Sequence, residues 1–441
     1  MKKLFLSLLA VAGLYSCQND DAALASSSFD MQATGADYND QCTKPRVVVS
    51  GNITTNTTWT NDTVWVISGV VRVKNNATLT INAGTYIVED NTVTTGANGV
   101  LVITREGFID ANGEVDAPVV FTSSALLDCD AATVAAPGDF GGVVLLGAAP
   151  VNTGLTTNII EGLNDQPTPS DFYYGGSSTT DDSGSMSYVR IEYAGRILGD
   201  PEAGNEINGL TFGGVGSSTN IDHVQVSWGL DDAFEFFGGT VNASHLVAFS
   251  NDDDSFDFDN GYVGSITKAI AVANENSTHS TSSGSPDSNG IELDNNATGT
   301  STTVITRPVI RQMSIVGFKN ATDASALENG IHVRRLGQIN IAQSTVTGYT
   351  NGIRYDVNPT LSAKSSLSIH GFTNYAFAST GTYSQFQLIG AGSTQSTAAS
   401  APTWGTSPFQ PFYNEPSFSL LSGNTGAFAT EANWTASWTQ F

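Results

Sequence analysis

Asp232-Ala-Phe-Glu-Phe236 and Asp254-Ser-Phe-Asp-Phe258 carry one pattern twice, 22 residues apart: an Asx side chain, a small residue, then apolar, anything, apolar. The pattern extends backwards to Asn208-Gly-Leu-Thr-Phe212. It extends forwards to Asn289-Gly-Ile-Glu-Leu293, Asn329-Gly-Ile-His-Val333 and Asn351-Gly-Ile-Arg-Tyr355. Successive Asx positions lie 24, 22, 35, 40 and 22 residues apart, and insertions at 276–288, 296–306 and 319–328 account for the longer steps. Period-2 alternation inside a repeat near 22 residues is one coil of a stacked β-solenoid, in which each coil touches only its neighbours. The fold class expected is therefore all-β, a right-handed parallel β-helix with projecting loops.

Outward from the repeats the pattern persists. A second strand sits about nine residues before each next Asx position, as in His223-Val-Gln-Val226, His245-Leu-Val-Ala-Phe249 and Lys268-Ala-Ile-Ala-Val272. Earlier runs such as Leu79-Thr-Ile81, Leu101-Val-Ile103 and Val119-Val-Phe121 are separated by turn residues, among them Asn75-Asn76 and Asn98-Gly99. Segments 148–185 and 195–206 are rich in Gly, Pro, Asp and Ser and read as loops projecting from the stack. From about 386 the chain turns aromatic, with Trp404, Phe409, Phe412, Tyr413, Phe418, Phe428, Trp434 and Trp438. A last coil needs its open edge covered, so these residues read as a C-terminal cap.

The chain begins Met-Lys-Lys, followed by a short apolar run and Leu14-Tyr-Ser-Cys17. A basic start with eleven apolar-dominated residues makes a secretion signal, too short to span a bilayer. The Leu-x-Ser-Cys ending resembles a bacterial lipobox, which implies cleavage before Cys17 and acylation of its thiol. The expected division is a signal peptide at 1–16, an acylated tether without structure at 17–44, the β-helix at 45–385 and the cap at 386–441. Formal charge is −25, and loss of Lys2 and Lys3 makes it −27, a surface that repels nucleic acid and anionic headgroups. No later run approaches 18 uncharged apolar residues, so contact with a membrane is expected through the lipid alone. Cys42 and Cys129 remain after acylation. In an oxidising envelope they pair or stay separate thiols, and their spacing leaves both readings open.

Several motifs together resemble a large family of Bacteroidetes envelope lipoproteins: Ile109-Asp-Ala-Asn-Gly113, Gly138-Asp-Phe-Gly-Gly-Val-Val-Leu-Leu-Gly147, Tyr188-Val-Arg-Ile-Glu-Tyr-Ala-Gly195 and the Asn433-Trp-Thr segment. The resemblance covers most of residues 60–441. It implies a right-handed parallel β-helix and an outer-membrane, lipid-anchored, surface-exposed address; the family has no settled activity, and no catalytic residue is carried over from it.

Stacked in register, the coils generate two columns. One is the Asx column, whose amides form turn ladders while Asp232 and Asp254 would repel each other. The other lies between the inward apolar residues: Thr211, Glu235, Asp257, Glu292, His332, Arg354. Asp231 through Asp259 holds eight acidic residues and no Lys or Arg. Crowded carboxylates require a cation or a raised pKa, and oxygen donors without Cys or paired His favour Ca²⁺. Asp231, Asp232, Asp253 and Asp254, with Glu235 and Asp257, are the expected calcium ligands. An acidic run also reads as a solvated face. Trp59, Tyr173, Tyr174, Trp228, Phe237 and Tyr262 are the aromatics of an expected sugar-binding groove.

The reading carried forward is a monomeric cell-surface lipoprotein that binds a polysaccharide or a surface protein with calcium assistance and without catalysis. Its alternatives are a structural adhesin, and a polysaccharide lyase or glycoside hydrolase whose catalytic residues come from Glu235, Asp257, Glu292, His332 and Arg354. A lyase would need a basic residue beside the acids, with Arg354, Lys268 and Arg190 as candidates.

Overall fold

The computed structural model describes residues 36–155, 157–197, 207–274, 277–282, 285–300, 303–317, 327, 329–347, 349, 351–356, 368–370, 373–375, 394–396, 426–428, 430–431 and 434–440. Their strands join into one 25-stranded parallel arrangement, and two short antiparallel pairs lie in the loops. The chain winds as a right-handed parallel β-helix with three sheets.

Each middle coil is built the same way. A strand such as Asn220–Ser227 contributes its first residues to sheet one and its last to sheet two. A turn then leads into a short strand of sheet three, such as Phe234–Phe237. The strand Asn242–Phe249 restarts the cycle directly above Asn220–Ser227, and Phe256–Asp259 lies above Phe234–Phe237. What reads in the sequence as a strand beginning at His223, His245 or Lys268 is thus the second half of a longer one. Those residues form the corner: Tyr188, His223, His245, Lys268 and Gln312 all take positive φ, between 49° and 57°. That conformation costs an L-residue on the order of 1–2 kcal/mol. Stacking repays part of it, with Tyr188 4.4 Å from His223 and His223 4.1 Å from His245 between ring centroids.

The interior is a column of like on like. Phe234 stacks on Phe256 at 5.0 Å, Phe212 on Phe236 at 4.7 Å and Phe236 on Phe258 at 5.1 Å. At the entrance to sheet three the asparagines form an amide ladder. Asn351 Nδ2 donates to Asn329 Oδ1, and Asn329 Nδ2 to Asn289 Oδ1, each at 3.0 Å.

Apolar residues also point outward from sheet two, including Val64, Tyr86, Val120, Val247 and Phe249, and segments near the chain ends pack over part of them. Residues 36–44, expected to belong to the tether, pack against the body. A short helix, Ala36–Asn39, places buried Tyr38 beside Arg190, where its hydroxyl donates to Glu192 Oε2 at 2.8 Å. A disulfide joins Cys42 to Cys129, with their Cα atoms 5.3 Å apart.

The tail also departs from expectation. Its described residues, 426–428, 430–431 and 434–440, lie along the corner between sheets one and two. Gly426 N donates to Gln343 O, Ala427 N to Ser314 Oγ and Gln440 N to Gln225 Oε1, while Trp434 and Trp438 pack edge-on against His223. Trp404, Phe409, Phe412, Tyr413 and Phe418 lie outside the described residues. Strand Thr394–Ser396 pairs with Thr373–Tyr375, so the winding continues past residue 385.

The ladder has a measurable value. Asn329→Ala removes one donor and one acceptor bond from a buried site, and a loss of about 2 kcal/mol is expected from two such bonds. Urea unfolding checks this; an unchanged midpoint would mean that the ladder adds nothing to stability.

Candidate functional site

Sheet three carries the acids. Its outward positions change character from coil to coil. Arg72 pairs with Val102, Val102 with Val144 and Val144 with Thr211; then come Glu235, Asp257, Glu292, His332 and Arg354, each paired with the next. All six members of the expected column therefore lie in one row. A second outward column, two residues further along each strand, runs from Leu146 through Gly213 and Phe237 to Asp259. Further up that face lie Asp294 and Arg334, the latter paired in register with Asp356.

Over the first coils this face is apolar and covered. Ile160, Leu163, Phe172 and Tyr174 from the 148–185 loop pack on Val102, Val144 and Leu146. Beyond them the cover lifts into a cavity of about 430 Å³, lined by eleven carboxylates. The loops on either side are tied together: Asn152 Nδ2 donates to Asn295 O at 2.8 Å and to Val304 O at 2.9 Å. The acids do not form a solvated face, because these loops bury them. Glu235, Asp257 and Glu292 retain 5, 7 and 1 % of their exposure.

Burial shapes their chemistry. Asp232, Glu235, Asp254 and Asp257 all have pKa values raised well above the carboxylate range, first by desolvation and then by neighbouring carboxylates. Burial, reinforced by Asp294, pushes Asp259 up to about 7, and burial lifts Asp252 to about 6. Two of the acids have structural tasks: Asp232 Oδ1 accepts the Asp254 backbone N–H at 2.8 Å, and Asp254 Oδ1 accepts that of Asn289. The carboxylates of the Asx column thus bond the next coil's backbone where the asparagines bond each other. Asn208 Nδ2 donates to Glu235 Oε2, whereas the buried Asp257 Oδ1 has no hydrogen-bond partner among the described residues.

Cations are distributed unevenly. Arg334 pairs with Glu292 and with Asp294, 3.0 Å to its Oδ2, and Arg335 reaches the same Asp294 oxygen at 2.6 Å. These arginines serve the end of the cavity nearer the C-terminus. At the other end, Asp231, Asp232 and Asp253 offer oxygens all within 4.8 Å of one another, as do Asp232, Glu235 and Asp257.

The remaining candidates lie elsewhere. Arg190 is buried on the outer face of sheet two, paired with Glu192 at 2.9 Å, and Lys268 at the corner pairs with Glu431. Neither enters the cavity. His223 and His245 share Asp222 through their Nδ1 atoms at 2.6 and 2.7 Å, also at the corner. The six aromatics do not form a groove. Trp59 and Tyr262 belong to the interior and Trp228 stacks on Tyr193, while Tyr174 and Phe237 do line the cavity. Glu161, Asp287, Asp294, Arg334 and Arg335 are additions. Asp294 and Arg334 could have been found by extending the row two residues along each strand, whereas Glu161 and Asp287 sit on insertions that the repeat does not register.

The winding and its carboxylate row define a right-handed parallel β-helix carrying an acidic cavity on one sheet. Residues 51–439 match the family model of the pectate-lyase-like β-helix domain, and the chain belongs to that family. No curated protein matches the sequence. Among solved structures, the Dettilon tailspike protein aligns at 12 % identity and a TM-score of 0.18, over 74 % of this chain and 62 % of its own.

The raised pKa values set a pH dependence. A carboxyl whose folded pKa exceeds its unfolded value binds more protons folded, so stability falls as pH climbs through that window. In a chelator, the thermal midpoint is expected to drop between about pH 4 and 7, from the ordinary carboxylate value up to the raised values of Asp252, about 6, and Asp259, about 7. Scanning fluorimetry across pH tests this, and a flat or rising profile would contradict the burial argument.

Proposed function

We propose that this chain is a lipid-anchored, surface-exposed β-helix that holds calcium in the acidic cavity and uses it to bind a glycan without turnover. The observation that carries the reading is the buried Asp257 Oδ1, without a hydrogen-bond partner among the described residues, beside the Asp232 and Glu235 carboxylates, while Arg334 is paired with Glu292 and Asp294. Such an oxygen costs about 1–3 kcal/mol unless something binds it. The donors there are all oxygens, which suits a hard cation.

Geometry sets the number of ions. Calcium–oxygen distances near 2.4 Å mean that ligands of one ion lie at most about 4.8 Å apart. Among the described residues at the cavity, the two triads made of carboxylates alone meet that limit and share Asp232, while a third, Asp287–Glu292–His332, includes an imidazole and a carboxylate already paired with Arg334. The all-oxygen pair fits two ions bridged by one carboxylate. The inner triad, with Glu235 and Asp257, is buried throughout. The outer one includes the half-buried Asp253, where open coordination positions would face a ligand's hydroxyls.

Binding is favoured over catalysis because Lys268 and Arg190 lie outside the cavity and Arg334, the arginine paired with the acidic row, is engaged. Arg334 is held by Glu292 and Asp294, with Asp287 3.9 Å away, so an elimination would begin by breaking that network. A polysaccharide lyase or hydrolase working through the Glu235–Asp257–Glu292 row is the alternative, and product analysis separates the two.

Calorimetric titration of chelator-treated protein is expected to show two calcium ions per chain. A hundredfold excess over Kd should add about 2.7 kcal/mol of stability for each site. Asp257→Asn should weaken one site by about tenfold, as expected for loss of one charged ligand worth roughly 1.5 kcal/mol, and Asp232→Asn should weaken both. No uptake at neutral pH would overturn the calcium reading. Release of reducing ends or unsaturated sugars from a polysaccharide panel would replace binding with catalysis.

A further inference from the structure

The rim of the cavity differs from its floor. Leu155 and Ile159, both lining residues, are large apolar side chains 59 % and 38 % exposed, and they stand above carboxylates that are almost fully covered. Neither is a loose end. Leu155 N donates to Thr153 Oγ1 at 3.2 Å, Thr153 Oγ1 bonds Asn158 Oδ1, and Asn158–Ile159 pairs with Tyr173–Tyr174 in a small antiparallel sheet. The loop therefore presents two branched aliphatic side chains from a braced backbone. Below them the tilted pair of Tyr174 and Phe237, 6.0 Å between centroids, continues the apolar wall to the edge of the acids.

Charge limits what can enter. Eleven carboxylates line the space, and both arginines beside it are already paired with them. Two calcium ions would leave an excess of negative charge, so a polyuronate chain meets like charge in a low-dielectric cavity. An uncharged sugar meets no such barrier, and its hydroxyls suit the open positions of the outer ion. The rim then selects among uncharged sugars. Flat aromatic faces suit bare pyranose rings, whereas small branched aliphatics offer area to a methyl group.

Resting on the calcium reading above, we propose that the ligand is an uncharged glycan whose sugars bear a methyl group at the rim, either a 6-deoxyhexose or an N-acetylhexosamine. Hydroxyls contact the outer ion and the methyl packs between Leu155 and Ile159.

Calcium-loaded protein is titrated with four oligosaccharides: a 6-deoxyhexan, an N-acetylhexosamine oligomer, an unsubstituted hexan and a hexuronan. Saturation-transfer NMR on the first two should place the strongest signal on the methyl protons, and which of them binds identifies the source of the methyl. The double variant Leu155→Ser, Ile159→Ser alters exposed side chains, so folding and calcium uptake, measured without sugar, should be unchanged while glycan affinity falls about tenfold, the loss expected for some two methylenes' worth of contact. Preference for the hexuronan, equal binding of the unsubstituted hexan, unaltered affinity in the double variant, or no sugar binding by protein that takes up calcium would each overturn the proposal. Failure to take up calcium would overturn the reading on which it rests.

Discussion

Parallel hydrogen bonding in strict register between successive coils is the constraint from which the other features descend. Phe234 is held over Phe256, and Glu235 over Asp257, by the same ladder. A slip of one residue would send the phenylalanines outward and the acids into the core, so the apolar interior enforces the register and the register enforces the row of charge. Strands in such a ladder lie about 4.8 Å apart whatever their side chains carry. The backbone thus imposes a proximity that the carboxylates themselves would not choose.

The molecule resolves that conflict differently along its length. Where the Asx position is asparagine, at 289, 329 and 351, neighbouring amides donate and accept in turn. Where it is aspartate, at 232 and 254, the carboxylate accepts a backbone N–H from the next coil instead. In the outward row Glu292 has Arg334, and Glu235 has the Asn208 amide. Asp257, between them, is left with a buried oxygen that nothing among the described residues bonds. Local polarity therefore falls into three regimes: apolar and covered, acidic without arginine, and acidic with arginine.

The coil was legible because its signature is local. Period-2 alternation and a repeat of 22 residues identify which side chains share a face, and Thr211, Glu235, Asp257, Glu292, His332 and Arg354 follow from that alone. Covering segments were not legible in the same way. Nothing in the repeat says that the 148–185 loop folds over Val102 and Val144, or that Asn152 reaches Asn295, since these contacts join residues unrelated by the period. The alternative of a solvated acidic face follows from the repeat alone, and the roof over the row removes it. The corner was missed for a second reason: His223, His245 and Lys268 look like ordinary strand residues, and only the three-dimensional winding puts them in a left-handed conformation. Trp434 and Trp438 were read as an end cover because aromatics without a repeat partner imply a cap, yet their best surface is the ladder of rings at that corner.

The three faces have been given different cover. Segments near the chain ends pack on sheet two, one pinned by Cys42–Cys129 and the other by Gly426 to Gln440. Insertions between strands wall sheet three. This division matters for the acids, because a roof made of loops can leave a cavity where a packed terminus would fill it. Asparagine at 232 and 254 would have continued the neutral ladder found at 289, 329 and 351 at no electrostatic cost. Aspartate there, with Glu235 and Asp257 beside it, adds charge to a buried site in which every added charge raises the pKa of the rest. A counter-charge would offset that crowding, and the cavity beside Asp232 and Asp257 has room for one.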